Sequence, residues 1–243
     1  MISKKDYPAE KVKTTLGVPD DFMFEFSIPK LNELHKKGKP FLSVFMTASD
    51  HGPYYIPDYF QPKNTEVKKQ IVEYADFSLK KFLELSSRQP WYQNTLFVFI
   101  ADHGAPMSAL YDLSLDYNHA PLIFYQPNII PEGKVFSKMA GQIDVYPSIM
   151  GLLKIPFDNN TLGINLFKEE RPYIYFNADD KFGVIDQNWL LIVKRDHTGG
   201  LFRYSEKDLT NYENQYPDIV KQMKEYAESN LQTFQYLVKK QKI

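Results

Sequence analysis

The sequence predicts an α/β fold: a mostly parallel sheet with helices on both faces and a late antiparallel hairpin region, in a single domain over residues 1–243. Three observations carry this expectation. Apolar, β-branched and aromatic runs at 41–47, 97–100 and 121–125 read as buried strands, and a helical pattern at 63–86 lies between the first two. Two of these runs end abruptly in polar clusters, Asp50-His51-Gly52 and Asp102-His103-Gly104. The region 171–204 breaks into short apolar runs separated by Asp, Asn and Gly, which is the texture of an antiparallel ribbon.

Taken in order, residues 1–20 are charged and irregular. Asp20 or Asp21 is placed to cap a helix running to about Leu34, with Phe22, Phe26, Ile28 and Leu31 on a rough apolar face and Pro29 expected to bend it. Lys36-Lys37-Gly38-Lys39-Pro40 reads as a turn into the strand FLSVFMT. Over 63–86, Val67, Ile71, Ala75, Leu79, Phe82 and Leu83 recur at helical spacing. Ile129-Ile130-Pro131-Glu132-Gly133 reads as a turn, Asp144 as the cap of a helix carrying Val145, Ile149 and Leu152-Leu153. Residues 215–240 form a final amphipathic helix.

Bulk properties exclude several classes. A formal net charge of −1, with basic and acidic residues interspersed, lacks the basic stripe of a nucleic-acid module. Lys239, Lys240 and Lys242 read as a solvated helix end. The absence of cysteine removes disulfide and thiolate chemistry. No apolar run approaches the roughly 20 residues needed to span a bilayer, and the start, MISKKDYPAEKVK, has no signal-peptide core. The chain as given reads as soluble.

The chemistry concentrates at the strand ends. In open α/β sheets ligands bind outside the carboxyl ends of strands. Asp102 and His103 there offer a hard and a borderline metal ligand from one rigid edge, and Gly104 lets the backbone turn away. The bland alternative is a strand leaving the core through a polar turn, with His103 satisfied by a backbone group. Because a helical crossover joins the two strands, His51 and Asp102-His103 are expected at the same sheet edge.

The motifs, in order, carry a resemblance. T-x-S-D-H-G-P-Y, Y-A-D-x-x-L-x-x-F-L, W-Y-x-N-T-L-F-V-F-I-A-D-H-G, N-H-A-P-L-I-F-Y, Q-I-D-V-Y-P-S-I-M-G-L-L and L-G-I-N-L-F run from about Gly17 to Phe167. Each alone is weak; in this succession they are similar to the sulfatase branch of the alkaline phosphatase superfamily, and most similar to lipoteichoic acid synthase-like phosphoglycerol transferases. The resemblance implies an alkaline phosphatase/sulfatase-like fold, here incomplete, and a metal-dependent reaction at a phosphate or sulfate ester. In that chemistry a nucleophile forms a covalent intermediate beside a metal that neutralises the oxyanion.

Carried over by position, Asp102 and His103 resemble metal ligands. The implied cofactor is a divalent metal ion, manganese first, with magnesium, zinc and calcium open. His51 resembles the catalytic histidine that contacts the transferred phosphate or protonates the leaving oxygen; its alternative is a local cap. His119 resembles a histidine on the leaving-group side, and a structural hydrogen bond is the competing reading. Asp144 and Pro147 match a family helix start and read as structural. His35 and His197 match nothing and read as surface residues. The implied partner is a phospholipid headgroup or a sulfate or phosphate ester.

One departure matters. In the family the nucleophile and another acidic ligand lie well upstream of the histidine matched by His51. Thr14 and Thr15 stand at the wrong distance, and Ser27-Ile28-Pro29-Lys30-Leu31 lacks the arginine of a formylglycine motif. The expectation is therefore the C-terminal portion of a sulfatase-like catalytic domain. The remainder would hold the nucleophile, the first metal carboxylate and the membrane anchor. The parent would work on the extracytoplasmic face of a bacterial membrane, and the isolated chain would be inactive. A phosphoethanolamine transferase of the same superfamily is the close variant. A non-catalytic remnant acting as a binding module is the reading from another class.

Overall fold

The computed structural model describes residues 1–105, 109–128, 133–178, 180–196 and 198–240. The chain packs as two compact units, Met1–Val98 with Phe124–Pro131, and Phe99–Ile123 with Glu132–Ile243.

The first unit is built on two helices, α1 (Asp20–Lys36) and α2 (Val67–Ser86). Their apolar faces meet through aromatic side chains. Phe24 stacks on Phe82 at 4.6 Å, and Phe45 meets both edge-on at 5.5 Å. Offset and edge-to-face pairs of this kind add about 0.5–1.5 kcal/mol each beyond area burial. Ile71 and Tyr74 on α2 are fully buried. Trp91 donates its indole N–H to Asn32 Oδ1 at 2.8 Å, which fixes the chain leaving α2 against α1.

Two expectations for this unit are corrected. Asp20 and Asp21 are the first helical residues of α1, behind Pro19, and neither side chain caps it; both carboxylates are taken by other partners described below. The second helix starts at Val67 and not at 63, because the backbone N–H groups of Lys63 and Asn64 bond the carboxylate of Glu73.

The expected strand at 41–47 forms no ladder. Nor is it buried throughout: Phe41, Ser43 and Phe45 are half-buried, while Leu42, Val44 and Met46 are 85%, 81% and 88% exposed. The pattern of a strand is present without a neighbouring strand to hydrogen-bond it. Strands β1 (Phe97–Ile100) and β2 (Leu122–Tyr125) pair as a two-stranded sheet.

The second unit carries the predicted ribbon. Strands β3 (Ile174–Ala178), β4 (Lys181–Ile185), β5 (Leu190–Lys194) and β6 (Gly199–Phe202) form an antiparallel sheet in sequential order. The register Val184↔Leu191↔Leu201 puts these three on one face, where they pack on Met223 and Ala227 of the last helix, α5 (Pro217–Lys239). Leu190 and Ile192 point the other way, onto Tyr111 and Leu113. A two-residue period with apolar side chains in both phases is what a sheet covered on both faces needs.

Helix α4 (Val145–Leu152) follows Asp144, as expected, but the Asp144 side chain does not cap it. This fully buried carboxylate accepts from the backbone N–H of Gly141 and Ile164 and is clamped by the Arg171 guanidinium. Arg171 also donates to Tyr226 Oη and the Leu162 carbonyl. Asp144 is thus structural, as the sequence suggested, by a different contact.

Among the described residues no helix is long and apolar enough to cross a membrane. The turn at 129–133 lies mostly outside the described residues, as do His197 and Lys242. His35 is exposed near the end of α1, as expected of a surface residue.

Candidate functional site

The candidate residues fall in both units, and each group has its own local support. In the first unit the chain emerges from 41–47 into Ala48-Ser49-Asp50-His51-Gly52. Ser49 is buried; Asp50 and His51 are exposed. The His51 ring holds Nδ1 2.7 Å from the Gly52 carbonyl oxygen. A carbonyl oxygen only accepts, so Nδ1 carries a proton, and in the neutral ring the lone pair then sits on Nε2. That leaves Nε2 free to accept a proton or meet an electrophile.

The turn before His51 hangs from the start of α1. Asp20 is 2% exposed, and its carboxylate accepts from the N–H groups of Ala48 and Ser49. Burial pushes this carboxyl above the usual aspartate range, opposed by those bonds. Asp21, also 2% exposed, accepts instead from the Tyr59 and Tyr74 hydroxyls and Lys81 Nζ. Burial again pushes upward, but these donors outweigh it and hold Asp21 below the usual range. Burial and the carboxylate raise the Tyr59 hydroxyl in turn to about 12. Neither aspartate is open to a ligand.

In the second unit Asp102 and His103 follow β1 directly. The Asp102 side chain is 91% exposed and that of His103 45%. Asp102 Oδ1 accepts the His103 backbone N–H at 3.0 Å, which turns the carboxylate toward the ring; Oδ2 stands 3.8 Å from His103 Nε2. His103 Nδ1 lies 2.8 Å from the Gly104 carbonyl oxygen. The same argument applies as at His51: Nδ1 donates and Nε2 is the free atom. A histidine that binds metal commonly donates its other nitrogen in this way, which fixes tautomer and orientation.

Neighbouring residues hold this turn. The His103 ring stacks on Tyr117 at 4.4 Å and 22°. The Gly104 N–H donates to the Tyr117 carbonyl at 2.7 Å. A Cβ at position 104 would stand 2.0 Å from the Asp116 carbonyl oxygen and 2.8 Å from that of His119, so no side chain fits there. The Gln142 amide donates to the carbonyls of Ala101 and Asp102, fixing the strand end from the far side. The single helical turn α3 (Leu115–Asn118) ends at His119, whose backbone borders Gly104 and whose side chain is exposed. No local signal in the sequence marks Tyr117 and Gln142 as supports, although they lie beside N-H-A-P and in Q-I-D-V-Y-P.

The donor set fits one side of a divalent-cation site: an exposed carboxylate and an imidazole with Nε2 free, on the same turn. Among the described residues no group of three or more His, Asp or Glu side chains converges to close one. A protein site that retains a metal ordinarily supplies at least three ligands.

The fold is an α/β fold like that of solved structures from the alkaline phosphatase superfamily. It is similar to the solved structure of a protein in that superfamily from Vibrio parahaemolyticus, with a TM-score of 0.80 at 21% identity, covering 95% of this chain and 59% of that one. The chain belongs to the sulfatase family, whose profile matches residues 2–155. Among curated proteins it is 27% identical over 166 residues to the lipoteichoic acid synthase-like YvgJ of Bacillus subtilis (strain 168), covering 58% of this chain and 26% of that protein. It is 26% identical over 167 residues to an arylsulfatase of Clostridium perfringens, covering 63% of this chain and 33% of that protein. The chain therefore spans about a quarter to a third of the length of these relatives.

Proposed function

We propose that residues 1–243 are part of one sulfatase-like catalytic domain that transfers phosphoglycerol or hydrolyses a phosphate or sulfate ester. The observation that supports this reading is a repeated device. Two exposed histidines, each followed by glycine, donate Nδ1–H to that glycine's carbonyl and leave Nε2 free, and one of them stands beside an exposed carboxylate.

Asp102 and His103 would hold one side of a divalent cation, manganese first. Bound there, the cation would supply charge neutralisation for the ester oxyanion and its attacking oxygen. Gln142, Tyr117 and Gly104 hold the ligand turn rigid, which lowers the cost of organising the site. Once protonated at Nε2, His51 donates a hydrogen bond to a phosphate or sulfate oxygen, or gives that proton to the leaving oxygen. His119 contributes on the leaving-group side. The nucleophile and a further carboxylate ligand come from polypeptide outside these residues, as does attachment to the membrane. The working location is the extracytoplasmic face of a bacterial membrane, with a phospholipid headgroup or a sulfate or phosphate ester as substrate.

Titration calorimetry of the 243-residue chain with manganese tests the ligand assignment. With two ligands, weak binding lost in Asp102→Ala is expected. Tight, stoichiometric binding unaffected by Asp102→Ala would refute the assignment. The same chain should leave generic phosphodiesters and sulfate esters unhydrolysed. Turnover abolished by His103→Ala would show that a nucleophile lies within these residues after all.

A further inference from the structure

Asp20 is a carboxylate with all of its bonding turned toward one short stretch of backbone. Oδ1 accepts from Ala48 N–H at 2.9 Å and from Ser49 N–H at 3.2 Å, and Oδ2 accepts from Ser49 N–H at 3.3 Å. The tie is reciprocal, since the Asp20 N–H donates to Ser49 Oγ at 3.1 Å. Asp20 and Ser49 are 2% and 8% exposed, so these bonds do not compete with water. Two residues beyond Ser49 stands His51, exposed, in a segment outside any helix or ladder.

An exposed imidazole on such a segment has no packing of its own to orient it. Its Nδ1–H bond to Gly52 requires the backbone over 50–52 to hold one course. That course starts at 48–49, where it is fastened to the first residue of a 17-residue helix. Aspartate has only two side-chain torsions, so the fastening is stiff. Asp21 is a built-in contrast. It has the same burial on the same helical turn, but its partners are Tyr59, Tyr74 and Lys81, none of them in the His51 segment.

We propose that Asp20, acting through the backbone of Ala48 and Ser49, is a positioning residue that holds the His51 ring with Nδ1 protonated and Nε2 presented outward. The functional value of this rests on the reading of His51 given above; the positioning itself does not.

Nitrogen-correlated NMR of the histidine side chains in the 243-residue chain reads the tautomer ratio of His51, assigned by the signals lost in His51→Gln. The unsubstituted chain is expected to hold the neutral ring mainly as the Nδ1–H form. Asp20→Asn places an amide against two N–H donors and should shift the ratio roughly five-fold toward the Nε2–H form, the weight of about one hydrogen bond. Ser49→Ala removes only the reciprocal bond and should shift it the same way by less; it carries the test if Asp20→Asn does not fold. Asp21→Asn should lower thermal stability and leave the His51 ratio unchanged. An unchanged ratio in both the Asp20 and Ser49 variants overturns the proposal, and so does an equal shift in Asp21→Asn, which would mean general loosening. A separate arm adds inorganic phosphate. If phosphate leaves the His51 signals unmoved, the functional reading fails while the tautomer result still decides the positioning role.

Discussion

Residues 41–47 and strand β5 are two apolar runs of similar composition with opposite fates. Leu190, Leu191 and Ile192 are almost fully buried, with a hydrogen-bonded strand on each side and side chains packed on both faces. Leu42, Val44 and Met46 instead alternate with half-buried neighbours and stand more than four-fifths exposed. The difference is not propensity, since both runs are rich in residues that favour strands. It is the presence of neighbours. A strand is completed by the strand beside it, and of these two runs β5 alone has one on each side among the described residues.

This contrast can be broken or sharpened by measurement. The largest effect is expected where the second unit is most fully satisfied. Arg171→Ala would leave the Asp144 carboxylate buried without its counter-charge and cost about 3–5 kcal/mol, read as a fall in the denaturation midpoint. A midpoint within experimental error of the unsubstituted chain would show that the pair is not holding that unit together.

Next comes the direct comparison of the two runs. Leu191→Ala in β5 should cost about 2–5 kcal/mol through lost burial and the cavity left behind. Val44→Ala should stay within about 0.5 kcal/mol, as expected for an exposed position. Equal costs would mean that 41–47 is covered in solution. The open run should also drive self-association, because an extended apolar segment with free N–H and C=O groups is a template for pairing. Light scattering should show concentration-dependent growth for the unsubstituted chain and less of it for Val44→Lys. A monomer over the whole range would argue that the segment folds back on its own unit.

The smallest effect is in the acid limb of stability. Asp21 is held below its ordinary value, so its contribution is present above the unfolded aspartate pKa of about 3.9 and fades as pH falls through the lower native value. Asp20 is raised, so protonating it as pH falls through its native value relieves a burden that the unfolded chain does not carry. Asp21→Asn should flatten the acid loss, and Asp20→Asn should steepen it. The same direction of change in both would contradict the opposed shifts.

Much of this architecture was legible in the residues. Helical spacing placed α1, α2 and α5, and the broken apolar runs of 171–204 placed the four-stranded ribbon. The Asp102-His103 turn was legible because it interrupts an apolar strand with two ligand-type side chains. What stayed hidden depends on residues far apart in the chain. Asp20 and Asp21 looked like helix caps, since a cap is the commonest local use of an aspartate before an apolar run. Their actual partners lie 28 to 60 positions away. Asp144 carries the same local signature of a cap, and its guanidinium partner is 27 residues downstream. For 41–47 an apolar run signals a buried strand, but composition says nothing about whether a neighbouring strand is there to cover it, and three of its side chains stand exposed.

Gly104 and Asp102 stand two residues apart and answer to different constraints. Any side chain at 104 would collide with the carbonyls of Asp116 and His119, so that position is fixed by the requirement to fold at all. Asp102, with its side chain almost wholly in water, is under little such requirement. A lineage in which this turn had lost its chemistry would keep the glycine and let the aspartate drift. Position 102, not position 104, is therefore where descent would record whether the turn holds the cation proposed for it.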